Sequence, residues 1–179
     1  MLYSFVEALW LILPAYAANG LAPLVRFFPK RHPIDFGKRL ARRPVFGKSK
    51  TWEGFLVGIV LAGLIGWIQQ IAYPWLPWEL SPVQLDIIPM SPLLGLWIGF
   101  GAMSGDLFGS FLKRRFGLKP GDPAPLLDQL DFVFGSLLSL SLFFPIKPEW
   151  VLWLVVLTPL LHWISSFLGF RLKLKSRPW

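Results

Sequence analysis

The sequence predicts an all-α integral membrane protein of about five transmembrane helices, with its N-terminus outside and its C-terminus in the cytoplasm. Three observations carry that reading. The chain has 179 residues, 54% hydrophobic and only 16% charged, with a mean hydropathy of +0.54; soluble domains carry about 25% charged residues. Its apolar residues arrive in long blocks, as a bilayer requires. Every one of its 18 Lys and Arg residues except Lys147 falls into one of three clusters, an asymmetry that orients membrane proteins.

The first block, residues 1–25, holds a single charge, Glu7, and no basic leader. It reads as a retained span rather than a cleaved signal, kinked at Pro14. Its foot, "ANGLAP", puts Asn19 at the interface, as a helix cap or as a binding group. A basic cytoplasmic loop of about residues 26–53 follows. Residues 54–78 and 87–105 make spans two and three, with Glu79 and Asp86 in the outer loop between them. The fourth block, 132–146, is short unless its helix begins near Leu126, which draws Asp128 and Asp131 into the first turn. A turn from Pro145 to Pro148 leads to span five, residues 150–170, which contains Pro159 and His162. The second cytoplasmic loop, about residues 113–127, and the tail "RLKLKSRPW" carry the remaining cations. An odd number of spans with cations inside fixes the orientation. The chain reads as a single domain, 1–179. Absence of cysteine excludes disulfides, thiol nucleophiles and thiolate metal sites.

Glycine spacing predicts how the helices meet. Gly101, Gly105 and Gly109 recur every four residues, as do Gly95/Gly99 and Gly54/Gly58, a small-xxx-small pattern that lets backbones approach closely in lipid. Gly105 and Gly109 flank Asp106, so a second helix can come near that carboxylate.

Four acids and four bases crowd "GDLFGSFLKRRFGLKPGDPAPLLDQLD". Asp106 is expected where span three meets the cytoplasm, with Ser110 and Lys113 following at i+4 and i+7 on one helical face. Asp128 and Asp131, at i and i+3, share a face of the next helix. Ionisable groups at membrane depth are costly and commonly face a wet functional cavity. Carboxylates with no Cys or His among them suit Mg²⁺; salt bridges to Lys113, Arg114 and Lys119 are the plainer reading. Asp122, in "KPGDPAP", reads as a turn residue. In the first loop, Gly47-Lys48-Ser49 lacks the upstream glycine of a P-loop, because Arg42 stands there. Lys48, Lys50 and Thr51 nonetheless precede a helix N-terminus, which favours phosphate. His32 reads as a solvated surface residue, and His162 as a hydrogen-bonding partner of a neighbouring helix.

"GDLFGSFLKRR" and "DQLD" together resemble the signature of the CDP-diacylglycerol synthase superfamily. Ser110-Phe111-Leu112-Lys113-Arg114 matches its opening, Lys119 falls at the right distance, and Asp128 and Asp131 keep their places. Pro120-Gly121-Asp122, "PAP" and Gln129 depart from it. "ANGLAP", "PIDFGKR" and "GKSKTWEGF" look more like the archaeal branch, the CDP-archaeol synthases. The resemblance implies a cytidylyltransferase that moves CMP from CTP to the unsaturated ether lipid 2,3-bis-O-geranylgeranylglycerol 1-phosphate and releases pyrophosphate. It implies Asp106, Asp128, Asp131 and Lys113 as catalytic, the three aspartates holding two Mg²⁺ ions. It implies Asn19, Lys48, Lys50, Thr51, Ser110, Arg114 and Lys119 around CTP and its phosphates. The implied partners are CTP, a lipid phosphate drawn from the bilayer, and membrane lipids, with no nucleic acid. Alternatives are a bacterial-type CDP-diacylglycerol synthase, a CTP-dependent lipid kinase, or a small transporter or channel.

Overall fold

The structure, a computed structural model, describes residues 2–21, 25, 28–78 and 81–171. Five α-helices dominate it: α1 (Leu2–Leu21), α2 (Trp52–Ala72), α3 (Pro92–Arg115), α4 (Leu127–Leu140) and α5 (Pro148–Arg171). The loop between α1 and α2 carries a two-stranded hairpin, β1 (Arg39–Leu40) with β2 (Arg43–Pro44), which sequence reading did not anticipate. Arg26, Glu79, Lys173, Lys175 and Arg177 lie outside the described residues.

Packing runs on small residues. On one side of α3, Gly95 and Gly99 press against Gly63, Gly66 and Ala62 of α2. On another side, Gly101, Gly105 and Gly109 receive Ser139, Gly135 and Asp131 of α4. A Cβ at Gly105 would stand 2.2 Å from the Asp131 carbonyl oxygen, and one at Gly135 would stand 2.3 Å from that of Gly101. No side chain fits between these backbones. These contacts set α3 antiparallel to both α2 and α4, while bonds from Tyr16 to Thr158 and from Glu7 to Trp150 set α1 parallel to α5. Large apolar side chains such as Leu56, Val60, Leu93 and Leu138 point outward, as lipid as solvent allows. By length and composition, Tyr3–Leu21 and Trp52–Trp75 are apolar enough to cross a membrane; α3 carries Asp106, Lys113, Arg114 and Arg115 along one helix.

Two boundaries differ from expectation. The third helix starts at Pro92 rather than residue 87, because Ser91 accepts from the Leu94 N–H and Pro92 occupies the first turn. It then continues well past Asp106 to Arg115. There Leu118 N–H bonds Lys113 C=O, Gly117 N–H bonds Arg114 C=O, and Gly117 takes φ +88, a Schellman stop that needs glycine's freedom. Asp106 therefore lies inside the helix, which carries Ser110 and Lys113 on past it as their spacing predicts. The fourth helix begins close to Leu126, as expected, but stops at Leu140 rather than near Ile146. Its 14 residues span about 21 Å.

Glu7, which looks isolated in the sequence, is not. It is buried, accepts from Trp150 Nε1 at 2.7 Å and Asp86 N at 2.8 Å, and pairs with Lys147 at 3.0 Å. This network ties together the ends of α1 and α5 that lie away from Asp106.

The glycine contacts predict a sharp contrast. Gly105→Ala forces α4 off its seat and lowers thermal stability in detergent by roughly 1–3 kcal/mol. Gly20→Ala meets nothing within 4 Å and leaves the melting temperature unchanged or slightly raised. Equal melting temperatures for the two variants would contradict the packing.

Candidate active site

The first loop is built to deliver Lys50. Residues 32–34 run beside 50–52: Ile34 N bonds Lys50 O, Trp52 N bonds His32 O, and Pro33 bridges Thr51. Buried Asp35 holds the turn that closes this loop. Its Oδ1 accepts from Gly37 N at 2.9 Å, and its Oδ2 accepts from Phe46 N and Gly47 N, both at 3.0 Å. Burial pushes the Asp35 carboxyl up, but these N–H bonds outweigh it and hold the group below the usual carboxylate range. The hairpin beyond is fastened to the C-terminus of α3. Arg115 donates to Leu40 O and Pro44 O at 2.7 and 2.6 Å, and Arg43 donates to Arg115 O at 2.5 Å.

Lys50 reaches across to α3, where its Nζ lies 2.7 and 2.6 Å from the two oxygens of Asp106. Beside this pair is a cavity of about 300 Å³ lined in part by Asn19, Arg31, Ser49, Lys50, Thr51 and Asp106. Thr51 caps α2: its Oγ1 accepts from Gly54 N at 3.2 Å, which leaves the hydroxyl proton for an anion. Two turns further along α3, Lys113 Nζ lies 2.5 Å from Asp128 Oδ1, while Asp128 Oδ2 accepts from Ala124 N at 2.8 Å. Asp131 accepts from the Phe132 N–H through Oδ1 at 2.7 Å, and its Oδ2 lies over Gly109. The charges of Asp106, Lys50 and Asp128 all reach it.

Asp131 also lines a second space, an apolar groove of about 1030 Å³ between α3 and α4. Phe100, Phe108, Leu112, Phe134 and Leu138 form much of its wall, and Gly105, Gly109 and Gly135 are among its lining residues. Of the neighbouring acids, Asp106 faces the smaller cavity, whose lining joins its polar groups to Ile34, Phe55, Met103 and Leu107, and Asp131 faces an apolar groove.

Several expected site residues lie elsewhere. Arg114 is buried, with Nη1 donating to Leu118 O at 2.5 Å, so it secures the turn after α3. Ser110 is buried as well. Lys48 and Lys119 are exposed and do not line the polar cavity. Asp122 Oδ2 accepts from Lys119 N at 2.6 Å, the turn role its sequence suggests. His32 is solvated but not alone: its Nδ1 lies 2.6 Å from Glu53 Oε1. Arg31 lines the polar cavity, although the sequence presented it only as one more cation of the first loop. Among the described residues, no three His, Cys, Asp or Glu side chains are gathered into one metal-ligand set; Lys50 and Lys113 each occupy one of the aspartates.

A family model described as CarS-like, CDP-archaeol synthase, matches residues 1–179. The CDP-archaeol synthase of Pyrococcus furiosus is 43% identical over 180 residues, covering 99% of this chain and 100% of that protein. That of Pyrobaculum islandicum is 40% identical, covering 100% and 99%, and that of Methanopyrus kandleri 43%, covering 97% and 92%. A solved intramembrane enzyme for archaeal membrane lipid biosynthesis superposes with a TM-score of 0.74 at 34% identity, over 90% of this chain and 94% of its own.

Asp35 yields a prediction about the loop that carries Lys50. A carboxylate whose folded pKa lies below its unfolded one stabilises the fold above the unfolded value, about pH 4, and loses that contribution as pH falls through the folded value. Asp35→Asn therefore lowers stability near neutral pH by roughly 1.5–3 kcal/mol and flattens the acid limb of a melting-temperature profile. An acid limb identical to that of the unaltered protein would contradict this role.

Proposed function

The chain belongs to the CDP-archaeol synthase family, and we infer that the Asp106–Asp131 neighbourhood is where it transfers CMP from CTP to the phosphate of an unsaturated archaeal ether lipid. The observation that carries this placement is the pairing of the two spaces. A polar cavity edged by Lys50, Arg31 and a helix N-terminus suits a triphosphate. A long apolar groove suits isoprenoid chains. Neighbouring acids, one from each space, stand where the two phosphates must meet.

The chemistry asks little of a base. An oxygen of the lipid phosphate, already an anion near neutral pH, attacks the α-phosphorus of CTP. A new P–O bond forms there as the bond to the β-phosphate bridging oxygen breaks, and pyrophosphate leaves. The protein must bring two anions together in line and offset their repulsion. Lys50 and Arg31 serve the triphosphate, Lys113 serves the phosphates at the α4 end, and Asn19 and Thr51 offer neutral hydrogen bonds. The glycine floor of the groove lets the lipid lie close to Asp131, and the apolar wall keeps water from the attacking phosphate.

Cytidylyltransferases of this kind generally use a divalent metal. The residues fit one: the donors are hard oxygens, Asp106 and Asp131 adjoin, and both Asp106 oxygens already hold a cation. We assign Asp106 and Asp131 as the carboxylates that would hold it, with Asp128, now paired with Lys113, as a further acid whose charge reaches Asp131, and Mg²⁺, with two ions, as the reading the chemistry favours. Such an ion supplies charge neutralisation to the entering and leaving oxygens.

The chain acts as one domain, 1–179, crossing the membrane five times with the site at the cytoplasmic face. Supporting this, the cavity opens at the end of the bundle that carries the basic first loop and the α3 terminus. Polar groups at the far end, Glu7, Asp86 and Lys147, are already bonded to one another, which disfavours a transport path.

Purified protein given labelled CTP, divalent metal and geranylgeranyl ether-lipid phosphate will form the CDP-lipid and release pyrophosphate. Equal turnover with ATP, or labelling of product from the γ-phosphate, would point to another reaction. The groove adds a second expectation. Leu138→Trp, which crowds its wall, raises the KM for lipid phosphate about tenfold, equivalent to roughly 1.4 kcal/mol, and leaves the KM for CTP within twofold. A change confined to the CTP KM would contradict the groove assignment.

A further inference from the structure

The pairing of Lys50 with Asp106 is more than a salt bridge between a loop and a helix. Lys50 Nζ contacts both carboxylate oxygens, at 2.7 and 2.6 Å, so the ammonium occupies the place from which a cation would bridge that carboxylate. Lys113 does the same on one oxygen of Asp128. Two of the three aspartates thus already carry an ammonium partner before any ligand arrives.

We propose that Lys50 is a resident stand-in for the divalent cation, and that it moves from Asp106 to the triphosphate when nucleotide and metal bind together. The proposal rests on the placement of the reaction at this site. A divalent ion entering alone must displace an ammonium that is left with only the charge of Asp131 to face, beside an ion of the same sign. A triphosphate entering alone meets a carboxylate that Lys50 is already neutralising. When both enter, the metal takes the carboxylate and Lys50 takes a phosphate, and every charge keeps a partner. Lys50 is placed for that exchange. Its backbone is pinned by bonds to Gly47 O and from Ile34 N, while its side chain edges the same cavity as Arg31 and Thr51. The movement is confined to one flexible side chain. Nucleotide and metal affinities are thereby coupled, each ligand raising the affinity for the other by the same factor.

The test measures Mn²⁺ binding to the full-length protein in detergent, by the signal of free Mn²⁺ in electron paramagnetic resonance, with and without α,β-methylene CTP, each titration referred to a protein-free one that gives the Mn²⁺ held by the analogue itself. In the unaltered protein the analogue should tighten Mn²⁺ binding by about tenfold or more. Lys50→Met, which keeps the length and removes the charge, should bind Mn²⁺ about tenfold more tightly without nucleotide and should lose most of the coupling. Unchanged or weaker Mn²⁺ binding in Lys50→Met, or equal affinity with and without the analogue in the unaltered protein, overturns the proposal. Asp106→Asn separates this failure from that of the site. If Asp106→Asn weakens Mn²⁺ binding but Lys50→Met does not strengthen it, only the stand-in role falls. If Asp106→Asn leaves Mn²⁺ binding untouched, the site placement falls with it.

Discussion

The close seat of α4 on the glycines of α3 is the constraint on which the rest depends. Gly105 and Gly109 leave no room for a side chain, so the Asp131 backbone and carboxylate rest directly on α3. That contact brings an acid from one helix beside Asp106 of the other. Like charges so placed repel strongly where water is scarce, and the protein answers with lysines from two directions: Lys50 from the first loop and Lys113 from the last turn of α3. The cation pattern of the site follows from the glycine pattern of the helix.

Holding Lys50 in place requires the loop, and the loop requires its own scaffold. Asp35 gathers three backbone N–H groups, the hairpin turns through Ala41 and Arg42 at positive φ, and Arg43 and Arg115 exchange bonds with each other's backbone carbonyls. Several of the cations that suggest phosphate or lipid headgroups are thus spent on main-chain oxygens. Arg114 and Arg115 illustrate the division: both follow Lys113 in sequence, yet only Lys113 turns towards the carboxylates. The opposite end of the bundle has a smaller counterpart in the bonds of Glu7 to Asp86, Lys147 and Trp150.

Much of this was legible in the sequence, for identifiable reasons. Helix-period glycines announce close approach whatever the partner, so the nearness of a second helix to Asp106 could be read from Gly105 and Gly109 alone. The i, i+3 spacing of Asp128 and Asp131 and the position of Lys50 before a helix start were equally local signals. The stop of the third helix was not legible, because it depends on Gly117 at positive φ and on bonds back to the Lys113 and Arg114 carbonyls that the sequence reading did not single out. The roles of Asp35, Arg115 and Glu7 depend on residues far away in the chain, and no local pattern marks them. Lys119 matches the signature by spacing and Lys48 precedes a helix start, but position along a loop does not fix where a side chain points.

The central claim is that the paired acids, one facing the polar cavity and one facing the apolar groove, form the reaction centre. Turnover of CTP with ether-lipid phosphate tests it most directly in Asp106→Asn and Asp131→Asn, across a divalent-metal titration and normalised to protein eluting as a single species. Loss of a carboxylate that handles the transferring phosphates predicts a fall of at least about 10³-fold, or roughly 4 kcal/mol, that added metal does not restore. Near-normal turnover in both variants would show that the acids merely balance the lysines and that the chemistry lies elsewhere.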